Sequence, residues 1–258
     1  MENFEKSLKK IKNVKVIDAS IPYETYISLD LSVQSKQMSK FSPKTAEDYS
    51  QFLNKYLYKN KAKVAYGGYL EKRNLYERST IFNEQSTEVR NIHIGLDLWI
   101  AAGTSVLAAL EGTVHSFQNN TNLGDYGPTI ILQHTLNNCQ FYTLYGHLAL
   151  ESIALLHIGQ PVKQGDKIAE LGNSSVNGDY APHLHFQIIK NIGDYFGDYP
   201  GVCSEKDLDY FKENCPNPNL LLKINSLKKL FSFFVYFYYS AVNRKKEFLR
   251  LQKLINQQ

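Results

Sequence analysis

From Val64 to Ile189 the chain is written in short apolar runs cut by Gly, Asn, Asp and Pro: "VAYGGYL", "SVLAAL", "GTVHSF", "TIILQH", "FYTLYGHL", "KIAELG" and "HLHFQII". A strand turns successive side chains to opposite faces, so period-2 runs of this length bury one face of a sheet. Regular turn signals between them imply antiparallel neighbours. The 18 Tyr and 14 Phe suit strands better than a helical bundle. The expected fold class is mainly β, α+β overall, with an antiparallel sheet as its core. "TSVLAALEGTV" and "QPVKQGDKIAELG" each read as a β-hairpin closed by a Gly turn.

Three segments follow from this texture. Residues 1–60 hold short extended pieces, "VKVID" and "TYISLDLS", and one helix from about Pro43 to Tyr58, with Ser42 as N-cap, Pro43 at N1 and Phe52, Leu53, Tyr56 and Leu57 at helical spacing. Residues 61–225 carry the β pattern. Residues 226–258 form a basic, aromatic tail, read as helical. Its stretch "LFSFFVYFYYSAV", Leu230 to Val242, has 13 uncharged residues between lysine and arginine pairs. That is short of the ~20 residues a membrane span needs, so the tail is expected to pack on protein or to make peripheral membrane contact.

Charge narrows the partners. From Lys223 onward eight Lys and Arg stand against one acid, so the rest of the chain carries −3 of the net +4. A body of that sign is not a nucleic-acid binder. The N-terminus is charged throughout and lacks an apolar h-region, so no secretory signal is expected and the compartment stays open. Of three cysteines, Cys139, Cys203 and Cys215, only the last two suit a pair, and free thiols are the expected state.

The chemistry lies in the histidines. On a strand, His183 and His185 of "PHLHF" share one face, with Leu184 and Phe186 turned to the core. "HIGLD" sets His93 and Asp97 four apart around Gly95, in a bent strand or loop where imidazole and carboxylate converge. His147 closes the run "LYGHL". Three N/O donors with an open fourth position describe a catalytic zinc site, whereas structural sites fill all four, commonly with Cys. His115, His134 and His157 have no partners in such a motif, and Asp166 beside Gly165 reads as a turn residue.

"HIGLD", "AAGTSVLAALEGTV", "LYGHL", "IGQPVKQGDKIAELGNS" and "PHLHF", in that order, resemble a lysostaphin-type (LytM-like) zinc metallopeptidase domain, whose core is a duplicated hybrid motif. Such families cleave peptides of bacterial peptidoglycan. The resemblance implies Zn2+ held by His93, Asp97 and His185, with His147 and His183 as catalytic imidazoles, and Tyr145 and Gln187 as candidates to orient them. It implies a peptide or peptidoglycan substrate. "QNNTNLGDYGPT", the exit after Gly193 and "GGYLEKRNLY" resemble a subgroup fused to aminotransferases, for which a small amide is the alternative substrate. A non-hydrolytic binding module using the same groove is the rival from another class. "GQPVKQGDKIAELG" is also similar to biotinyl and lipoyl carrier hairpins, but no Lys stands at a Met-Lys-Met-like tip.

Overall fold

The computed structural model of the protein describes residues 4–35, 45–73 and 89–224. Residues Met1–Leu222 form one compact unit, and a second begins at Lys223. The aromatic tail, with its expected helix and membrane contact, lies outside the described residues, as do Ser42 and Pro43. Among the described residues no helix is long and apolar enough to cross a membrane.

The N-terminal residues open with a helix that the extended reading of this stretch did not anticipate, α1 (Phe4–Lys10). It is held by tertiary contacts: Leu8 is buried, and the Phe4 ring meets the Phe141 ring edge-on at 5.0 Å. Strand β1 (Tyr26–Ser28) follows. The expected helix is α2 (Ala46–Lys59), beginning three residues later than read. Thr45 provides the reason, because its side chain accepts from Asp48 N–H while the Asp48 carboxylate accepts from Thr45 N–H. Its apolar face, Tyr49 and Leu53 with Phe52, Tyr56 and Leu57, packs on Leu29, Ala65 and Trp99.

The β pattern resolves into β2 (Val64–Gly67), β3 (Ile92–His93), β4 (Leu96–Trp99), β5 (Ser105–Leu107), β6 (Gly112–Asn120), β7 (Gly127–Leu136) and β8 (Cys139–Gly146). After these come β9 (Pro161–Val162), β10 (Lys167–Glu170), β11 (His183–Ile189) and β12 (Val202–Cys203). Two short helices end the unit, α3 (Leu208–Asn214) and α4 (Asn219–Leu222). The main sheet has eight strands in the order β1-β2-β4-β11-β8-β7-β6-β9, and β3–β12 and β5–β10 form separate two-stranded ladders. Every ladder is antiparallel except β1 with β2, which run parallel.

β7 and β8 are joined by Asn137-Asn138, both at positive φ, the two-residue turn whose twist matches paired strands. The two presumed hairpins do not close on themselves. β5 pairs with β10 and β6 with β9, so the segments around Ala108 and Gly165 lace into one another. Ala108 N–H donates to Asp166 O and Gly165 N–H to Ala108 O, each at 2.9 Å. Period 2 marks the strands but not their partners: Val106 finds Ala169 across the ladder, and both are buried there with Ala108.

Candidate metal centre

Three strands of the main sheet bring the site together. β11 lies between β4 and β8, with His185 opposite Asp97 on one side and Gly146 on the other. His183 faces Trp99 two residues earlier. His147 leaves the end of β8 at φ 65°, a left-handed conformation that a non-glycine residue adopts only when its surroundings impose it. His93 arrives from β3, and the chain bends at Ile94-Gly95 before β4 delivers Asp97, as the glycine suggested. A Cβ at Gly95 would stand 2.4 Å from Cε1 of His185, so only glycine lets the ring lie against this bend.

Each imidazole is fixed by an oxygen that can only accept. His93 Nδ1–H donates to Gly68 O at 2.9 Å, and His147 Nδ1–H to Asn177 O at 2.8 Å. His183 Nδ1–H donates to Ala181 O at 2.8 Å. His185 is anchored the other way round, Nε2–H to Gln187 Oε1 at 2.9 Å, and the Gln187 amide donates to Pro200 O at 3.2 Å. The tautomers follow: Nε2 carries the lone pair on His93, His147 and His183, and Nδ1 carries it on His185.

The consequence appears where these lone pairs meet. His93 Nε2 and His185 Nδ1 are 2.9 Å apart, and Asp97 Oδ1 lies 3.2 Å from the first and 3.3 Å from the second. Asp97 Oδ1 is buried without a hydrogen-bond partner. Three electron pairs facing one another in a buried place, with no proton among them, are the arrangement that a cation stabilises. Tetrahedral zinc with bonds of 2.0–2.1 Å sets its donors about 3.4 Å apart, close to what is observed. The residues fit Zn2+, and His93, Asp97 and His185 form the cluster that could hold it.

Burial dominates the electrostatics. It lowers the His93 imidazolium to about 4, against the attraction of Asp97. His147 is pushed well below its ordinary value by burial and then by His183 and His185. His183 is lowered by burial, opposed by Asp97. Burial by itself would raise the Asp97 carboxyl, but His93 and the Arg73 guanidinium outweigh it and hold the group well below the usual carboxylate range. At neutral pH His93, His147 and His183 are neutral imidazoles beside the Asp97 carboxylate, the state a metal needs.

His183 and His147 lie beside the donors. His183 Nε2 is 3.9 Å from Asp97 Oδ1, and the His147 ring centroid is 4.2 Å from that of His183. All five residues line one cavity of about 250 Å³, part of whose wall is Leu31, Ala46 and Tyr49 from the N-terminal segment. Tyr126, from "GDYG", also lines it, with its hydroxyl 3.4 Å from His185 Nε2.

The five motif residues therefore come together. Of the two candidates to orient them, Gln187 does so and Tyr145 does not. Tyr145 is turned to the core, its ring tilted against Phe186 at 5.3 Å and its hydroxyl accepting from Ala109 N–H and the Thr143 hydroxyl. Tyr145 pairs with Phe186 and shares its core face, Gly146 pairs with His185, and His147 leaves the strand alternation through its positive φ. His134 is buried between Glu111 O and Thr143 Oγ1, His115 stands against Tyr142, and the Asp166 carboxylate accepts from Lys163 N–H in a turn. Arg73 was missed. Its only trace in the sequence is its place in "GGYLEKR", ahead of the first ligand motif.

Three candidate donors opening onto a cavity match the open kind of metal centre, as against the closed structural kind. Residues 91–195 match the model of Peptidase family M23. A 99-residue stretch is 35% identical to an uncharacterized metalloprotease of Haemophilus influenzae, covering 38% of this chain and 19% of that protein. A zinc-containing peptidase from Vibrio cholerae is similar at 30% identity, over 38% of this chain and 27% of that one, with a TM-score of 0.32. The catalytic domain of lysostaphin from Staphylococcus simulans is 25% identical, over 47% of this chain and 80% of that one, with a TM-score of 0.34. The chain spans about a fifth of the Haemophilus relative's length.

Proposed function

We propose that this chain is a zinc-dependent hydrolase of a peptide or amide bond, with a bacterial cell-wall peptide as its substrate. The observation that carries the reading is the pairing of a three-donor cluster with two further imidazoles whose Nε2 lone pairs are left open by their Nδ1 hydrogen bonds. The family match over residues 91–195 supports the peptidase class, and the motif resemblance of "HIGLD", "LYGHL" and "PHLHF" to lysostaphin-type domains supports the cell-wall substrate.

His93, Asp97 and His185 would hold the zinc, which when bound polarises a scissile carbonyl and lowers the pKa of water to about 7. The rest is the work of the two imidazoles. A neutral Nε2 of His147 or His183 accepts the proton of the attacking water and then, as N–H, delivers it to the leaving amine nitrogen. The rings are 4.2 Å apart and each charge disfavours the other, so the pair holds one proton at a time. The cavity wall from Leu31, Ala46 and Tyr49 excludes water from one side and limits what can enter.

The test is to incubate the zinc-loaded protein with peptidoglycan fragments and with small amides and to read products by mass spectrometry. Cleaved fragments carrying one added water, absent with His183→Ala, are expected. Cleavage of amides alone would move the substrate to the small-molecule class. Ligand binding unaffected by chelator, with no cleavage, would replace the hydrolase with a binding module.

A further inference from the structure

We propose that the segment Gly68–Arg73 is a clamp that sets how two of the three metal donors bind, with Arg73 the positioning residue that keeps Asp97 a one-oxygen ligand. The proposal rests on the zinc-site reading above.

The geometry is specific. Arg73 Nη1–H donates to Asp97 Oδ2 at 2.6 Å, and its Nε–H donates to Glu71 Oε2 at 3.0 Å. The side chain is buried, and its guanidinium carbon lies 5.7 Å from the centre of the Trp99 ring. Five residues back, Gly68 O takes the Nδ1–H of His93. Gly68 has φ 108°, and a Cβ there would stand 2.1 Å from Arg73 Nη2 and 2.8 Å from His93 Nδ1. Both contacts to metal donors thus meet at one glycine that nothing larger can replace.

The segment is also tied to the backbone it serves. Leu70 N–H donates to His93 O at 2.8 Å, and His93 N–H to Glu71 O and Arg73 N–H to Asn91 O at 2.9 Å each. It behaves as an added strand along β3, so a shift of the clamp shifts His93 with it. All of it lies ahead of residues 91–195, the part that matches the family model.

A carboxylate has two oxygens that can approach a cation. Arg73 occupies Oδ2, which leaves Oδ1 as the single donor facing His93 and His185. Without that bond both oxygens can turn to the metal and fill a position the substrate needs. A lysine cannot take the place of the fork, because a point ammonium cannot hold Glu71 and Asp97 in one plane. Glu71 fixes the fork and cancels its charge, so the added electrostatic load on the cation is small.

The experiment uses the full chain with Arg73→Lys, Arg73→Gln and Glu71→Gln. It measures zinc affinity by chelator competition, the visible spectrum of the Co2+-loaded protein, and melting of the metal-free protein. The Arg73 variants are expected to bind zinc roughly 10–100-fold more weakly, with a weaker cobalt band as the carboxylate becomes two-pronged. Glu71→Gln is expected to shift both in the same direction by less. Folded variants with unchanged affinity and an unchanged cobalt spectrum overturn the proposal, and so does a change confined to metal-free melting. If the Arg73 variants do not fold, Glu71→Gln decides by the same two readouts. A wild-type protein that binds both metals and cleaves nothing sinks the hydrolase and leaves the clamp. One that binds neither metal removes both.

Discussion

His93 Nε2 lies 2.9 Å from His185 Nδ1, across 92 residues of chain, and their hydrogen bonds to Gly68 O and Gln187 Oε1 leave no proton between them. With the Asp97 oxygen 3.2 and 3.3 Å away, the three atoms face one another as donors to a single cation would. This relationship is the geometry that a metal ion would fill, in place of a hydrogen-bonded histidine cluster.

Removing a donor should therefore remove the metal. His93→Ala and Asp97→Ala are expected to drop zinc from near one per chain to near none after dialysis, and to abolish turnover. Atomic absorption on the dialysed proteins checks it; a full zinc complement in either variant contradicts the donor set.

The two remaining imidazoles should separate metal from chemistry. His147→Ala and His183→Ala are expected to keep their zinc and lose roughly 10²–10⁴ in kcat. Parallel metal analysis and steady-state kinetics provide the check, and loss of zinc from His183→Ala would make it a ligand instead.

Gln187 orients His185 from behind. Gln187→Leu should weaken zinc binding roughly 10–100-fold. It also strips Pro200 O of its donor, for about 1–3 kcal/mol of stability. Chelator competition and urea titration read the two effects separately.

Gly95→Ala places a methyl 2.4 Å from the His185 ring. The ring or the strand must move, with an expected loss of about 1–3 kcal/mol and of most zinc affinity. Retained zinc binding at wild-type strength would mean that the bend yields at no cost to the site.

Acid should destabilise the protein through His134, whose imidazolium burial lowers from 6.5 to about 4. A folded value below the unfolded one means that the contribution is complete above pH 6.5 and is lost as pH falls from 6.5 toward 4. The loss amounts to roughly 3 kcal/mol. Urea titrations of the zinc-loaded protein between pH 7 and 4 should show a shallower fall for His134→Gln than for wild type.

Much of this was legible in the order of residues. "HLHF" placed two imidazoles on one strand face because strands alternate, and His183 and His185 do point one way while Leu184 and Phe186 are buried in the core. Gly95 announced the bend between His93 and Asp97. The helix at residues 46–59 was visible in its apolar spacing, but its start was misplaced because Thr45 with Asp48 competed with Ser42 and Pro43 as a cap. The two supposed hairpins had the right strands and the wrong partners. Tyr145 shares the core face of its partner Phe186, and only the left-handed turn at His147 separates Tyr145 from His147, which the run "LYGHL" does not reveal.

What the sequence determined by itself was local: which segments are strands, which side of each is apolar, and which five residues are candidates for one site. Alternation and turn residues act between near neighbours, so they can be read in one dimension. Only the tertiary structure decided that β11 lies between β4 and β8, that β5 pairs with β10, and that Arg73 and Gly68 hold the backs of Asp97 and His93. Those contacts join residues tens of positions apart. They exist because a buried charge or polar nitrogen must find a partner wherever the packed chain supplies one.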